Sequence, residues 1–166
     1  REDEAAIIEA AFREGYIKSR TYPRNGKKVA VVGSGPAGMA AANQLNRMGY
    51  EVTVFEKDEY VGGLLRFGIP NFKLNKAIID RRVDIMAAEG ITFKTNAPVD
   101  VEHLPEGFDA YCICTGTPQA RDLDIPGRNL KGIHFALEML AQQNRVLGGQ
   151  AFSLSLIHIS EPTRLR

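Results

Sequence analysis

Cysteine is scarce in this sequence, with 2 among 166 residues. Two thiols cannot build a disulfide framework, and they cannot supply the four thiolates of a typical iron–sulfur cluster. Long apolar runs are also lacking, and none approaches the roughly 18 residues that indicate a transmembrane helix. The chain starts with the charged residues Arg1–Glu4, which do not form a signal peptide. We therefore expect a cytoplasmic protein without a membrane partner.

An excess of one charge is missing as well, since 21 Lys and Arg residues face 20 Asp and Glu residues. This balance gives no support to a nucleic-acid partner, which a basic surface would indicate. With 44% apolar and 25% charged residues, the composition is that of an ordinary folded protein. At about 150 residues per domain, the length predicts one domain with a short appendage.

Short apolar runs alternate with amphipathic segments, and this order predicts an α/β fold with a parallel sheet. Segment 57–70 is predicted to be a glycine-rich loop, and 18–26 a linker with a solvated basic surface. The last strand is expected to be buried, with Cys112 and Cys114 filling core. The predicted helices are 2–14, 37–48, 76–89 and 133–144, and the predicted strands are 29–32, 51–56, 91–94 and 110–114.

A G-x-G-x-x-G string runs from Gly33 to Gly38, after the first predicted strand and at the start of the next helix. Alone it is weak evidence, but a strand before it and a helix after it are the context of a dinucleotide-binding turn. In such a turn Gly33 permits the tight bend, Gly35 lets the backbone approach a pyrophosphate, and Gly38 allows close helix packing. Pro36 suits the first helical turn, whose free N–H groups face phosphate oxygens.

A carboxylate stands where such a site holds a ribose, because Glu56 ends the second predicted strand, 18 residues after Gly38. An acid at this place accepts hydrogen bonds from ribose hydroxyls and repels a 2′-phosphate. The site is therefore predicted to bind the adenosine half of FAD or NAD, and not that of NADP. The competing interpretation is a structural turn with an incidental surface glutamate.

Two later features favour FAD over NAD. The glycine pair Gly62–Gly63 follows Glu56 closely, and a second glycine pair lets the backbone pass beside an extended cofactor. The alternative there is an ordinary glycine-rich loop. Thr115 and Gly116 follow the fourth predicted strand, and ligands of open α/β sheets lie beyond the carboxyl ends of the strands.

These motifs resemble the FAD site of the small (beta) subunit of glutamate synthase. The resemblance is carried by 28–38, by Thr115–Thr117, by 122–127 and by the pair Arg81–Arg82. Its most specific part is 62–74, GGLLRFGIPNFKL. Close relatives share that string, including the flavin part of dihydropyrimidine dehydrogenase and NADPH–ferredoxin oxidoreductase subunits.

The resemblance implies a Rossmann-like FAD-binding domain in an NADPH-dependent flavin oxidoreductase. In that family NADPH reduces FAD, and iron–sulfur clusters then carry electrons to the glutamate synthase large subunit, where glutamate is formed. The family implies no catalytic side chain and no metal ligand in this region, because FAD supplies the redox chemistry.

The resemblance also assigns cofactor-binding residues, in four groups. The first group is implied to hold the ADP half of FAD, and it consists of Gly33, Gly35, Pro36, Ala37, Gly38 and Glu56. The second is implied to lie along the ribityl chain and flavin ring, and it consists of Gly63, Leu64, Arg66 and Gly68. The third is Val99, whose backbone groups are implied to meet the adenine, and the fourth is Thr115 and Gly116, which back the pyrophosphate. Lys57 is implied to bind the cofactor as well.

The sequence also departs from the family. Residues 1–26 resemble the helix and linker that end the iron–sulfur domain, 27–150 resemble an incomplete FAD-binding domain, and 151–166 match nothing in the family. We expect that tail to be a cloning or sequencing scar. The cysteine-rich segment and the second glycine motif, for NADPH, are absent from these residues. We therefore expect a fragment that does not oxidise NADPH by itself.

Two other functions stay open. The chain could come from a dihydropyrimidine dehydrogenase-like or ferredoxin-linked NADPH oxidoreductase. It could instead be an adenine-dinucleotide-binding module without a redox function, and bound yellow flavin would distinguish the enzymes from that module.

Overall fold

The computed structural model describes residues 2–117 and 119–150, which form an α/β fold around a four-stranded parallel sheet. The tail 151–166 lies outside the described residues. In chain order the elements are α1 (Glu2–Arg13), β1 (Lys28–Val32), α2 (Pro36–Arg47), β2 (Glu51–Phe55), α3 (Leu64–Phe67), α4 (Lys76–Ala88), β3 (Thr92–Lys94), β4 (Ala110–Ile113) and α5 (Ala136–Leu147). The strand order is β3-β2-β1-β4. The predicted fold class is therefore confirmed.

The core is centred on β1 and β2. These strands pair in parallel, with Val29 beside Val52 and Val31 beside Val54. Val31 and Val54 are fully buried, as expected for the continuous apolar runs of a parallel sheet covered on both faces. Buried side chains of α2 and α4, such as Met86, complete the same cluster. The carboxyl ends of β1, β2 and β4 therefore meet at one edge of the sheet, where α2 begins.

The strand β4 corrects the predicted burial of 110–114. Tyr111 is 36% exposed and Ile113 is 50% exposed. The reason is its place at the end of the strand order, where it pairs with β1 and with no other described strand. Cys112, on β4, and Cys114, just after it, are half-buried free thiols that pack against the core.

Two further boundaries differ from the prediction. The predicted loop 57–70 contains the single turn α3, which buries Phe67 to 6% exposure. A turn this short has too few residues for a helical period to show in the sequence. The helix predicted over 133–144 is α5, which begins at Ala136 after a residue whose side chain does not cap it. Without a capping residue the sequence carries no signal for its start.

The residues between α1 and β1, 14–27, are named the connector here. Arg24 in the connector donates to Asn46 Oδ1 at 2.6 Å, to the Tyr50 carbonyl at 2.7 Å and to the Glu89 carbonyl at 3.2 Å. Asn46 is fully buried and itself donates to the Glu89 carbonyl at 3.1 Å. Arg24 is therefore an anchor that satisfies carbonyls at the ends of α2 and α4, while the residue as a whole is exposed, as predicted for this basic segment.

The helix α1 is also attached to the domain. Arg81 of α4 makes two hydrogen bonds to the Glu9 carboxylate, at 2.8 and 2.7 Å, and its guanidinium lies 3.6 Å from the centre of the Phe12 ring. This bidentate geometry specifies the orientation of the pair.

Among the described residues, no helix has the length and apolar character needed to cross a membrane.

The anchor generates a stability prediction. The substitution Arg24→Ala leaves the buried side-chain oxygen Oδ1 of Asn46 without its donor, so the free energy of unfolding should fall by about 2 kcal/mol. Arg13→Ala is the matched control, because the Arg13 side chain is 75% exposed and its ion pair with Glu14 is long, at 3.7 Å. Urea unfolding of both variants measures the difference. An equal effect of the two substitutions would show that Arg24 anchors nothing.

Candidate dinucleotide-binding site

The turn between β1 and α2 is built on two contacts between backbones. A Cβ placed on Gly38 would overlap the carbonyl oxygen of Gly33, and one placed on Gly33 would overlap the carbonyl oxygen of Cys114. Gly33 also has a φ of 101°, in the region that favours glycine. The packing of the protein itself therefore requires glycine at both positions, as the motif predicts.

Gly35 differs from these two glycines. Its φ of −64° and ψ of −177° suit any residue, and a Cβ placed there would meet no described atom within 4 Å. No contact in the described part of the chain therefore explains a glycine at this position. The open space lies at the start of α2, where a bound group would need a bare backbone.

The start of α2 is suited to a negatively charged group. Pro36 is its first residue, so the free N–H groups of the first turn begin with Ala37 and Gly38. The first turn contains no acidic side chain that would neutralise the positive end of the helix dipole. Backbone donors and an uncompensated dipole are the features that bind phosphate at helix starts.

The second glycine pair lies against this turn. A Cβ on Gly63 would be 3.0 Å from the Cα of Gly35, and Gly63 has a φ of 51°. Gly62, with a φ of 127°, donates its N–H to Ser34 Oγ at 3.0 Å. The structure thus brings together two glycine segments that the sequence separates by more than 20 residues. Together they form one wall around the open space at Gly35.

Glu56 adjoins the same turn but faces inward, with 4% exposure. Its carboxylate accepts hydrogen bonds from the Ser34 N–H at 3.1 Å, from the Ser34 hydroxyl, and from the Asp58 N–H at 2.9 Å. Three donors leave part of the acceptor capacity of a carboxylate free. The structure therefore places Glu56 beside the turn, and its contact with a ribose stays a prediction.

Ser34 is a residue that the sequence analysis missed. It is fully buried, and its hydroxyl connects Glu56 to Gly62. The sequence does place a small hydroxyl residue between the first two glycines of the motif. This does not predict the connection, because the partners of Ser34 lie far along the chain.

Arg66 and Leu64, both assigned to the flavin side, are placed differently. Arg66 Nε donates to the Val61 carbonyl at 2.6 Å, and its guanidinium pairs with Asp80. The Arg66 side chain is 11% exposed, so in this structure it holds the loop together. Leu64 is 53% exposed beside the second glycine pair. Gly68 ends α3 and donates to the Leu64 carbonyl at 2.9 Å.

Lys76 provides a further connection in this loop, again without a signal in the sequence. Its ammonium donates to three carbonyls, those of Leu65 at 3.1 Å, Ile69 at 2.5 Å and Leu74 at 3.3 Å. Burial lowers the pKa of Lys76, and the nearby Arg66 guanidinium lowers it further.

The remaining predicted residues lie around the same edge of the sheet. Thr115 and Gly116 are exposed and directly follow Cys114, whose carbonyl touches the Gly33 turn. Lys57 is exposed after β2. Val99 is half-buried, and the segment before it is joined to the end of β2 by the Ala97 N–H, which donates to the Glu56 carbonyl at 2.9 Å. These placements agree with a common site without testing any single role.

Cys114 borders the turn as a neutral thiol. Burial raises the pKa of Cys114 to about 11, and its hydrogen bond to the Cys112 sulfur, 3.6 Å away, adds to the rise. At neutral pH such a thiol is protonated, so it is poorly suited to act as a nucleophile.

The role of Ser34 can be tested at a single amide. Ser34→Ala removes the acceptor of the Gly62 N–H and one donor to Glu56, so the free energy of unfolding should fall by about 1–3 kcal/mol. Amide exchange at Gly62 should accelerate more than that at core amides of β1. Ser19→Ala, at an exposed position of the connector, is the control. Unchanged Gly62 exchange in Ser34→Ala would contradict the connection.

Comparison with known proteins places this geometry in a family. Residues 31–88 match the family described as NAD(P)-binding Rossmann-like domain. The chain is 50% identical over 142 residues to the NADPH-dependent glutamate synthase small chain of Bacillus subtilis, a match that covers 82% of this chain and 29% of the relative. It is 51% identical over 152 residues to that of Mycobacterium tuberculosis, covering 88% and 31%. The chain therefore spans about 30% of the length of these curated relatives.

A solved structure is similar in fold. FprA from Mycobacterium tuberculosis, in complex with NADPH, matches with a TM-score of 0.62 and 26% sequence identity, over 75% of this chain and 29% of FprA.

Proposed function

The chain belongs to the glutamate synthase small-chain family along most of its length, and from that we propose that it forms the FAD-binding part of an NADPH-dependent flavin oxidoreductase of that type. The observation that carries the proposal is Gly35. A Cβ at Gly35 would meet no described atom within 4 Å. The residue lies at a helix start that suits an anion, beside the second glycine segment. A pyrophosphate lying across this space explains the glycine that packing does not.

The residues present fit an extended dinucleotide. The N–H groups of Ala37 and Gly38 would bind the pyrophosphate, and Glu56, held by Ser34, would accept from the ribose. The wall formed by Gly62 and Gly63 would continue beside the ribityl chain. When bound, FAD would supply the hydride and electron chemistry, while the protein supplies position and exclusion of water.

Other assigned residues complete the proposed site from both ends. Leu64 and Gly68 would border the flavin, Thr115 and Gly116 would back the pyrophosphate, and Val99 would lie by the adenine with Lys57 near it. Arg66 would act by maintaining the loop, because its guanidinium is already occupied by Asp80 and the Val61 carbonyl.

The partner and the location are part of the same proposal. Glutamate synthase small chains imply a large subunit as partner. Electrons from NADPH would pass to it through iron–sulfur clusters, whose cysteine ligands are not among these 166 residues. A cytoplasmic location agrees with the two free, half-buried thiols, which persist in a reducing compartment. The failure of this chain to oxidise NADPH by itself stays a prediction.

An NADPH-dependent oxidoreductase of another type is the second candidate, and the similarity to FprA, solved in complex with NADPH, is the observation that favours it. The fold likeness comes with 26% identity, whereas the glutamate synthase small chains share 50–51%. The higher identity over most of the chain favours the glutamate synthase type.

The proposal predicts that Gly35→Val abolishes FAD binding while the fold is retained. The backbone at Gly35 accepts a valine and no described atom obstructs it, but the side chain would occupy the space of the pyrophosphate. We expect at least about a 100-fold loss of affinity, or roughly 2.7 kcal/mol. Fluorescence titration with FAD measures binding, and circular dichroism measures helix content. NADP is the competing ligand, and the intact protein should bind it more weakly than FAD.

Ala40→Val is the matched control, because it introduces the same side chain at an exposed position of α2, away from the turn. It should bind FAD like the unaltered chain. Normal FAD affinity in Gly35→Val would refute the proposed site, and tight NADP binding by the unaltered chain would refute the role of Glu56.

A further inference from the structure

A second concave site lies away from the dinucleotide turn, between the connector and the ends of α2 and α4. It is a cleft of about 280 Å³, named the basic cleft here, and the residues that line it include Lys18, Arg20, Asn43, Arg47, Arg82 and Glu89. The dinucleotide turn is at the carboxyl ends of the strands, where α2 begins, whereas the basic cleft is at the opposite end, where α2 finishes. The two sites are therefore separate.

Four cationic side chains line the basic cleft: Lys18, Arg20, Arg47 and Arg82. Other arginines of the domain have anionic partners, such as Arg81 with Glu9 and Arg145 with Asp58 and Glu59. Within residues 2–117 and 119–150, none of the four cleft cations has an ion pair or a side-chain hydrogen bond. This concentration stands out in a chain whose overall net charge is +1.

The negative groups around the basic cleft do not balance these cations. Glu89 is the acidic residue of its lining, and one of its oxygens accepts from the Arg20 backbone N–H at 3.2 Å. The ends of α2 and α4 each contribute about half a negative charge from the helix dipole. Arg24 adds a fifth positive charge at these helix ends, so about two negative charges stand against about five positive ones. A ligand carrying more than one negative charge would reduce this surplus.

The backbone that borders the basic cleft is held in place without a ligand, while the four cationic residues are exposed. Arg24 attaches the connector to Asn46, Tyr50 and Glu89, as described above. Gly49 lets the connector approach closely, because a Cβ there would be 2.5 Å from the Pro23 carbonyl oxygen. Glu89 is 7% exposed. A preformed site loses less conformational entropy on binding than a mobile one.

We propose that the basic cleft binds a small dianion whose charge is carried by carboxylate or phosphate groups. Guanidinium groups match both kinds of anion by paired hydrogen bonds, and Lys18 adds a point charge. A cleft of about 280 Å³ has room for a short dicarboxylate or a small phosphate ester. This proposal does not depend on the proposed function.

The test uses succinate and inorganic phosphate as dianions, with acetate and chloride as monoanions at matched ionic strength. Binding is followed by the ¹⁵N chemical shifts of the arginine side chains and of the Asn43 amide, in the full chain of 18.3 kDa. Titrations are made with and without saturating FAD, so that an anion on the dinucleotide turn is distinguished from one in the basic cleft. If FAD does not bind, the proposed function fails while the cleft titration is still readable.

We expect at least one dianion to bind tenfold or more tightly than either monoanion, with the shifts confined to cleft residues. Phosphate alone would identify a phosphate ligand, and succinate alone a dicarboxylate. Arg47→Gln/Arg82→Gln should weaken binding at least tenfold, whereas Arg121→Gln/Lys131→Gln, at exposed positions outside the cleft, should not. Equal responses to all four anions, or equal losses in both double variants, would overturn the proposal.

Discussion

The structure depends on one close approach of backbones, in which the turn after β1 touches both the start of α2 and the end of β4. The overlap that any Cβ on Gly33 or Gly38 would cause shows how little room exists there. This contact places the start of α2 at the carboxyl edge of the sheet, with its N–H groups facing the open side. Gly35, between the two, is free of that constraint. The difference separates the glycines that the fold requires from the one that a ligand would require.

A second set of contacts extends the same edge into a longer site. The Ser34 hydroxyl joins the first glycine turn to Glu56 and to Gly62, so the predicted ribose residue and the second glycine segment are positioned by one buried group. Beyond them, Lys76 and Arg66 hold the loop by donating to its carbonyls. The site is thus supported from behind by side chains that no ligand needs to touch.

Much of this could be predicted from local sequence. The apolar runs of β1 and β2 and the glycine spacing identify the parallel sheet and its turn, because both signals are contained within a few residues. The exposure of β4, the anchoring by Arg24 and the role of Ser34 could not be predicted in this way. Each depends on partners 20 to 80 residues away along the chain, as for Arg24 with Asn46 and Glu89. The inward position of Arg66 depends on a nearer partner, Asp80, which lies 14 residues away on the following helix.

The central claim is that the two glycine segments form a single binding surface. Amide hydrogen exchange of the chain with and without FAD tests it most directly, because it reports each backbone segment separately. The account predicts that FAD slows exchange together in 33–38 and 62–68, and leaves the connector unchanged. Protection of the first segment with none in the second would contradict it, since the site would then hold only the adenosine half of a dinucleotide.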